Sequence, residues 1–156
     1  MAVRLSEVKC ASPQLVATAT VTVDAAGEGF IEITDHIRRF LDQSGAGEGV
    51  LLLYLRHTSA SLVIQENADP EVRTDLTTAL RRLAPENAGW AHDTEGPDDM
   101  PAHVKSMLTG ISLHIPVSDA KAMLGTWQGI YLVEHRRQPH RREIVLQFLG
   151  GRKPRD

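Results

Sequence analysis

The feature that most constrains this chain is a run in which Leu15, Ala17, Ala19, Val21 and Val23 alternate with Val16, Thr18, Thr20, Thr22 and Asp24. An extended backbone points successive side chains to opposite faces, so a period of two predicts a half-buried strand with hydroxyls on its outer side. Shorter alternations recur in Ile111-Leu113-Ile115, in 130–135 and in 144–149. Val50 to Leu55 is continuously apolar and bounded by glycine, which reads as a central strand covered on both faces. Ser61 to Ile64 offers another strand, and Phe30 to Ile33 can pair back through the Ala25–Gly29 turn.

Helical spacing is scarcer. Ile37, Phe40 and Leu41 behind Thr34 as N-cap predict a short helix over 35–43. Asp69-Pro70-Glu71 announces a second, with Asp69 as cap, Pro70 in the first turn and Val72, Leu76, Leu80 and Leu83 as its buried stripe. Pro85 stops it, and 86–101 reads as a long loop, followed by a helical piece from Ala102 to Leu108. The glycine-rich stretch 45–49 reads as a flexible connector, because it follows a helix and precedes a strand, the reverse of a phosphate-binding turn. About seven strand candidates and two or three helices without regular alternation predict an α+β or mainly β sandwich in a single domain over 1–156, with 150–156 as a basic tail.

Composition narrows the function. The 156 residues carry 20 acidic and 17 basic groups, a formal charge of -3, and aromatics are 4%. Nucleic-acid affinity comes from cations on phosphates and from stacking platforms, so no nucleic-acid partner is expected. No apolar run reaches the ~18 residues that cross a bilayer, and Arg4 and Glu7 stand where a signal peptide needs an apolar core. No membrane partner and a cytoplasmic location are expected. The single cysteine, Cys10, excludes a disulfide framework and reads as inert.

Seven histidines turn attention to metals and proton transfer. None sits in an HExxH spacing, so position has to select among them. His57 ends the central strand, while His92 and His103 flank a loop holding Asp93, Glu95, Asp98 and Asp99. Three imidazoles converging there would match an open zinc site, with carboxylates orienting the rings or acting as base; hydrogen-bonding histidines in a loop are the other reading. His114 reads as a half-exposed strand residue, and His36 and His140 as solvated. Glu134, His135 and Arg136 read as a solvated strand end. Thr58, Ser59 and Ser61 lack the nucleophile elbow of a serine hydrolase. Gln65 to Asp69 leads into a helix N-terminus with Arg73 one turn inside, where an anion could bind if Asp69 does not already cap it. The Gly125–Gly129 turn carries Trp127, whose expected fate is packing at a protomer surface or over a pocket.

Four segments in order, His57-Thr58-Ser59-Ala60-Ser61-Leu62, Glu66-Asn67-Ala68-Asp69-Pro70-Glu71-Val72-Arg73, Glu95-Gly96-Pro97-Asp98-Asp99-Met100-Pro101-Ala102-His103 and Leu124-Gly125-Thr126-Trp127-Gln128-Gly129-Ile130-Tyr131, resemble the YjbQ-like family. The likeness runs over about 10–150. It implies a small α+β protein with a jelly-roll-like β-sandwich core, a homotrimer, a divalent metal such as zinc in a cleft, and secondary thiamine-phosphate synthase activity. Carried over residue by residue, it places His57, His92 and His103 as metal ligands, with Glu66, Asn67, Asp98, Asp99 and Trp127 as second-sphere or substrate contacts.

The leading expectation is therefore a metal-dependent enzyme joining hydroxymethylpyrimidine diphosphate to thiazole phosphate with loss of pyrophosphate. Arg73 and Arg136 would supply cations for the phosphates, and Asn67, Asp99 and Trp127 would complete the substrate contacts. The alternatives are a metal-assisted hydrolase, with Glu66 or Asp98 taking a proton from water, and a non-catalytic trimer that binds a small phosphorylated or anionic metabolite.

Overall fold

The computed structural model describes residues 7–8, 10 and 12–153. Eleven elements follow in order: β1 (Leu15–Ala25), β2 (Gly29–Glu32), α1 (Thr34–Ser44), β3 (Ala46–Leu55), β4 (Ala60–Glu66), α2 (Pro70–Leu83), α3 (Asp99–Thr109), β5 (Ser112–Ser118), β6 (Lys121–Ala122), β7 (Gln128–Glu134) and β8 (His140–Arg152). They form a single α+β domain of two antiparallel sheets curled as a half-barrel, one ordered β1-β8-β3-β5-β6 and the other β2-β7-β4. Leu51, Leu53, Leu55, Ile144, Leu146 and Phe148 from the large sheet meet Leu62, Ile130 and Leu132 from the small one, and Ile37 and Leu41 of α1 close one end. This is the expected sandwich.

Several local expectations are corrected. The Phe30–Ile33 segment does not pair back on β1, which is zipped on one edge to β8 from Leu15↔Gly150 to Ala25↔His140: β2 joins β7 in the other sheet, where Phe30 packs edge-on against Tyr131. The glycine-rich connector shrinks to Gly45, whose left-handed backbone (φ 66) ends α1, and the rest is the start of β3. There β3 and β8 slip register between Ala46 and Gly49, and a Cβ on Gly49 would meet Gly150 Cα at 2.7 Å. Central β3 is covered on one face only, since Tyr54 is exposed.

Thr34 is not the cap of α1. It is the helix's first residue, and its hydroxyl donates to Glu32 (2.8 Å) and accepts from the Ile130 N–H (2.9 Å), tying α1 to β7. Asp69 does cap α2, accepting from the Glu71 N–H at 2.8 Å. The α2 stripe is only half-buried, with Leu83 exposed, since the helix lies on the outside of the sandwich. α3 starts at Asp99, three residues before the expected Ala102, because a proline in the first turn gives up only an N–H that has no partner within the helix. Strand β8 runs through Arg152, so the head of the expected basic tail is sheet, and 154–156 lie outside the described residues.

Candidate metal centre

The early start of α3 places Asp99 and His103 four residues apart, one turn along a single helix face. His92 reaches the same point from the loop that precedes the helix. Asp99 Oδ2 lies 2.8 Å from His92 Nε2 and 3.3 Å from His103 Nε2, and one ligand atom from each residue falls within 4.8 Å of the others. The Asp99 side chain is 3% exposed, against 42% for His92 and 33% for His103, so the carboxylate forms the floor and the imidazoles the rim.

Surrounding groups fix Asp99 and His103, while His92 is held through Asp99. His103 Nδ1 is 3.0 Å from the Thr58 carbonyl, which can only accept, so Nδ1 carries the hydrogen and Nε2 of the neutral ring presents a lone pair. That lone pair faces a carboxylate oxygen, an arrangement favourable only with a proton or a cation between them. The other Asp99 oxygen accepts from Arg136 Nη1, while Arg136 Nε reaches Asp98 (3.3 Å) and Nη2 the Glu95 carbonyl (2.7 Å). Gly96, at φ 108, makes the turn that brings Glu95 and Asp98 to the same guanidinium. Two imidazoles and one carboxylate with an open side suit zinc, and also the two-histidine, one-carboxylate iron sites.

The residues singled out in the sequence fall into two groups. His57 lies in a groove with Thr58, His103 and Met107 but does not join the cluster: its Nε2 accepts the Glu143 backbone N–H at 3.0 Å. Burial, helped by Arg142, holds its pKa below the usual imidazole value. Asp98 accepts from the Arg137 N–H at 2.8 Å as well as from Arg136. Burial alone would raise its pKa, but these donors outweigh it and keep the carboxyl ionised below its ordinary range.

Glu66, Asn67, Arg73 and Trp127 sit at the far end of β4. Six residue steps separate Ala60 from Glu66, about 20 Å at the usual strand rise. There the Arg73 guanidinium lies 5.7 Å from the Tyr131 ring centroid and 3.3 Å from the Glu66 carbonyl, and the Asn67 N–H donates to the Trp127 carbonyl. Trp127 itself is 64% exposed.

The strand end Glu134-His135-Arg136 is buried, not solvated. Glu134 accepts from Arg142 Nε (2.6 Å) and Nη2 (2.7 Å) and from the Arg136 N–H (2.9 Å). His135 Nε2 is 2.8 Å from Ser61 Oγ, which is 2.6 Å from Thr109 Oγ1. Burial, reinforced by Lys105, pushes the His135 pKa down to about 3. Two signals could have found these groups: the Asp99–His103 spacing on one helix face, and the inward parity of Glu134 beside Leu132 and Ile130.

The comparisons agree with this fold. The family model of UPF0047 proteins, YjbQ-like, matches residues 19–151. The chain is 44% identical over 131 residues to UPF0047 protein sll1880 of Synechocystis, covering 83% of this chain and 89% of that one. It is also 44% identical over 132 residues to UPF0047 protein YjbQ of Escherichia coli O157:H7, covering 84% and 96%. A YbjQ-like protein of unknown function from Sulfolobus solfataricus superposes with a TM-score of 0.81 at 26% identity, over 88% of this chain and 99% of its own. A conserved hypothetical protein from Thermus thermophilus gives 0.75 at 35% identity, over 83% and 98%. The chain is thus a member of the YjbQ-like UPF0047 family.

Proposed function

We propose that this protein is a divalent-metal-dependent enzyme whose ion is held by His92, Asp99 and His103, with zinc the first candidate. The observation that supports it is the His103 Nε2 lone pair facing Asp99 Oδ2 at 3.3 Å, in a ring whose tautomer Thr58 has already chosen. A bound ion would supply Lewis acidity toward a phosphoryl or carbonyl oxygen. The chain's own residues do the positioning: Arg136 holds Asp99, Thr58 holds His103, and His57 with Met107 walls the groove beside the rim. Asp98, already engaged by Arg136 and Arg137, is a poor proton acceptor. The reaction class this favours is metal-assisted attack on an anionic small molecule, either hydrolysis or the thiamine-phosphate joining that the family resemblance implies.

Elemental analysis of protein prepared without a histidine tag, followed by zinc titration of variants, tests the ligand set. His92→Ala, Asp99→Asn and His103→Ala are expected to lower zinc affinity about tenfold or more, and His57→Ala much less. Equal loss in His57→Ala would restore the three-histidine site, and no loss in any variant would remove the metal. Turnover of the thiamine precursors by zinc-loaded protein, against a panel of phosphate and carboxylate esters, separates the two reaction classes; no turnover of either would leave a binding protein. The same reading places Trp127 at a protomer contact in a homotrimer, and a monodisperse monomer in solution scattering would overturn that part.

A further inference from the structure

A cleft of about 820 Å³ is lined by Glu28, Arg81, Glu86, Asp98, Lys105, His135 and Arg137 among others, and is within the usual size for a small-molecule site. Over the whole lining the three acids balance the three bases, but they are not evenly shared: Asp98 is held by the Arg136 side chain and the Arg137 N–H. Glu28 accepts from both Lys105 (2.7 Å) and Arg81 (2.8 Å), so two cations share one carboxylate, and Glu86 is taken by Arg137. The Lys105 side chain is only 6% exposed, and among the described residues its ammonium makes one hydrogen bond of the three it offers. A buried ion pair of this kind adds little to stability compared with apolar packing, so it is weakly explained by the fold alone.

His135 is the second component. One ring nitrogen is bound to Ser61, and Ser61 to Thr109, so two hydroxyls stand behind the imidazole. Thr109 also lies 2.8 Å from the Lys105 carbonyl, so its single hydrogen can go either to that carbonyl or to Ser61. When Thr109 donates to Ser61 and Ser61 to His135, the imidazole turns an N–H outward from that chain. When the chain runs the other way, it turns a lone pair outward. A ligand oxygen bearing negative charge selects the first direction without any change in protonation state.

We infer that this cleft is an oxyanion-binding site, taking the phosphoryl or carboxyl group of a small metabolite on Lys105, Arg81 and the His135 N–H. None of His92, Asp99 and His103, which hold the proposed ion, lines this cleft: His103 lines the groove with His57, and His92 a separate one with Trp90.

Calorimetric titration of the full-length protein with inorganic phosphate, and in parallel with acetate, tests the inference and tells a phosphoryl from a carboxyl ligand. Saturable binding of at least one anion is expected. Lys105→Met is expected to weaken it about tenfold or more, and the exposed Arg81→Gln, which leaves the buried pair in place, several-fold. His103→Ala and treatment with a chelator should leave it unchanged. No binding of either anion at tens of millimolar would overturn the inference. So would binding that survives Arg81→Gln and Lys105→Met, or binding that disappears with the chelator, which would place the anion on the metal.

Discussion

Two clusters of the same residue types lie on β7 and its neighbours, and they differ in how completely they satisfy themselves. Around Glu134, both carboxylate oxygens are taken by Arg142 and the Arg136 N–H, and Arg142 Nη2 also reaches Ser59. Around Asp99, one oxygen is held by Arg136 and the other faces two half-exposed imidazoles. The closed network leaves neither Glu134 oxygen without a donor, so it offers a cation no free carboxylate. The open one has capacity left over, and spare lone pairs on a fixed scaffold are what a cation needs. Arg136 belongs to both, since its backbone serves Glu134 and its side chain serves Asp99.

The contrast breaks most clearly at Glu134. Glu134→Ala leaves the buried Arg142 guanidinium without its counter-charge, and a loss of roughly 3–5 kcal/mol is expected in denaturant unfolding. An unchanged transition midpoint would show that the closed network is not structural.

Acid should act next on His135, the chain neighbour of Glu134. The His135 pKa is about 3 in the folded chain, below its unfolded value of ~6.5. Below pH 6.5 the unfolded chain therefore takes up a proton that the folded chain refuses, and stability falls until about pH 3. The expected loss is about 2 kcal/mol by pH 5, a range in which most carboxylates are still silent. His57, lowered by burial, adds in the same direction. In His135→Gln the slope between pH 6.5 and 5 should flatten; a slope equal to wild type would assign the acid sensitivity elsewhere.

The open side should respond in binding with little change in stability. His92→Ala and His103→Ala are expected to keep the wild-type unfolding transition while lowering zinc affinity about tenfold or more, with His114→Ala and His140→Ala as controls that change neither. A large destabilisation in the first pair would mean that the imidazoles are structural after all. The smallest effect belongs to Asp69→Ala, remote from both clusters: about 1 kcal/mol through loss of the α2 cap, with zinc affinity intact. Equal thermal midpoints would show that the cap contributes nothing.

Much of the architecture was legible because it is written in local periodicity. The alternation from Leu15 to Val23 is β1 with its inward and outward faces, and the Asp69-Pro70-Glu71 start of α2 stands where capping and proline chemistry put it. Partner choice was not legible: nothing within Phe30–Ile33 says that it joins β7 and not β1, whose outer edge takes no strand among the described residues, because the choice rests on packing in the small sheet such as Phe30 against Tyr131.

The sequence by itself determined the residue types that could bind a metal and the loop and helix that carry His92 and His103. Only the tertiary structure decided that Asp99 stands between them while the His57 lone pair is spent on a backbone N–H, and that Arg136 is a clamp inside the protein. The reason is that a strand or helix start depends on neighbours a few residues away, whereas a site depends on groups far apart in the chain. Arg136 meets Asp99 across 37 positions and His57 meets Glu143 across 86, and which such pairs form follows from sheet order and packing, which no local pattern encodes.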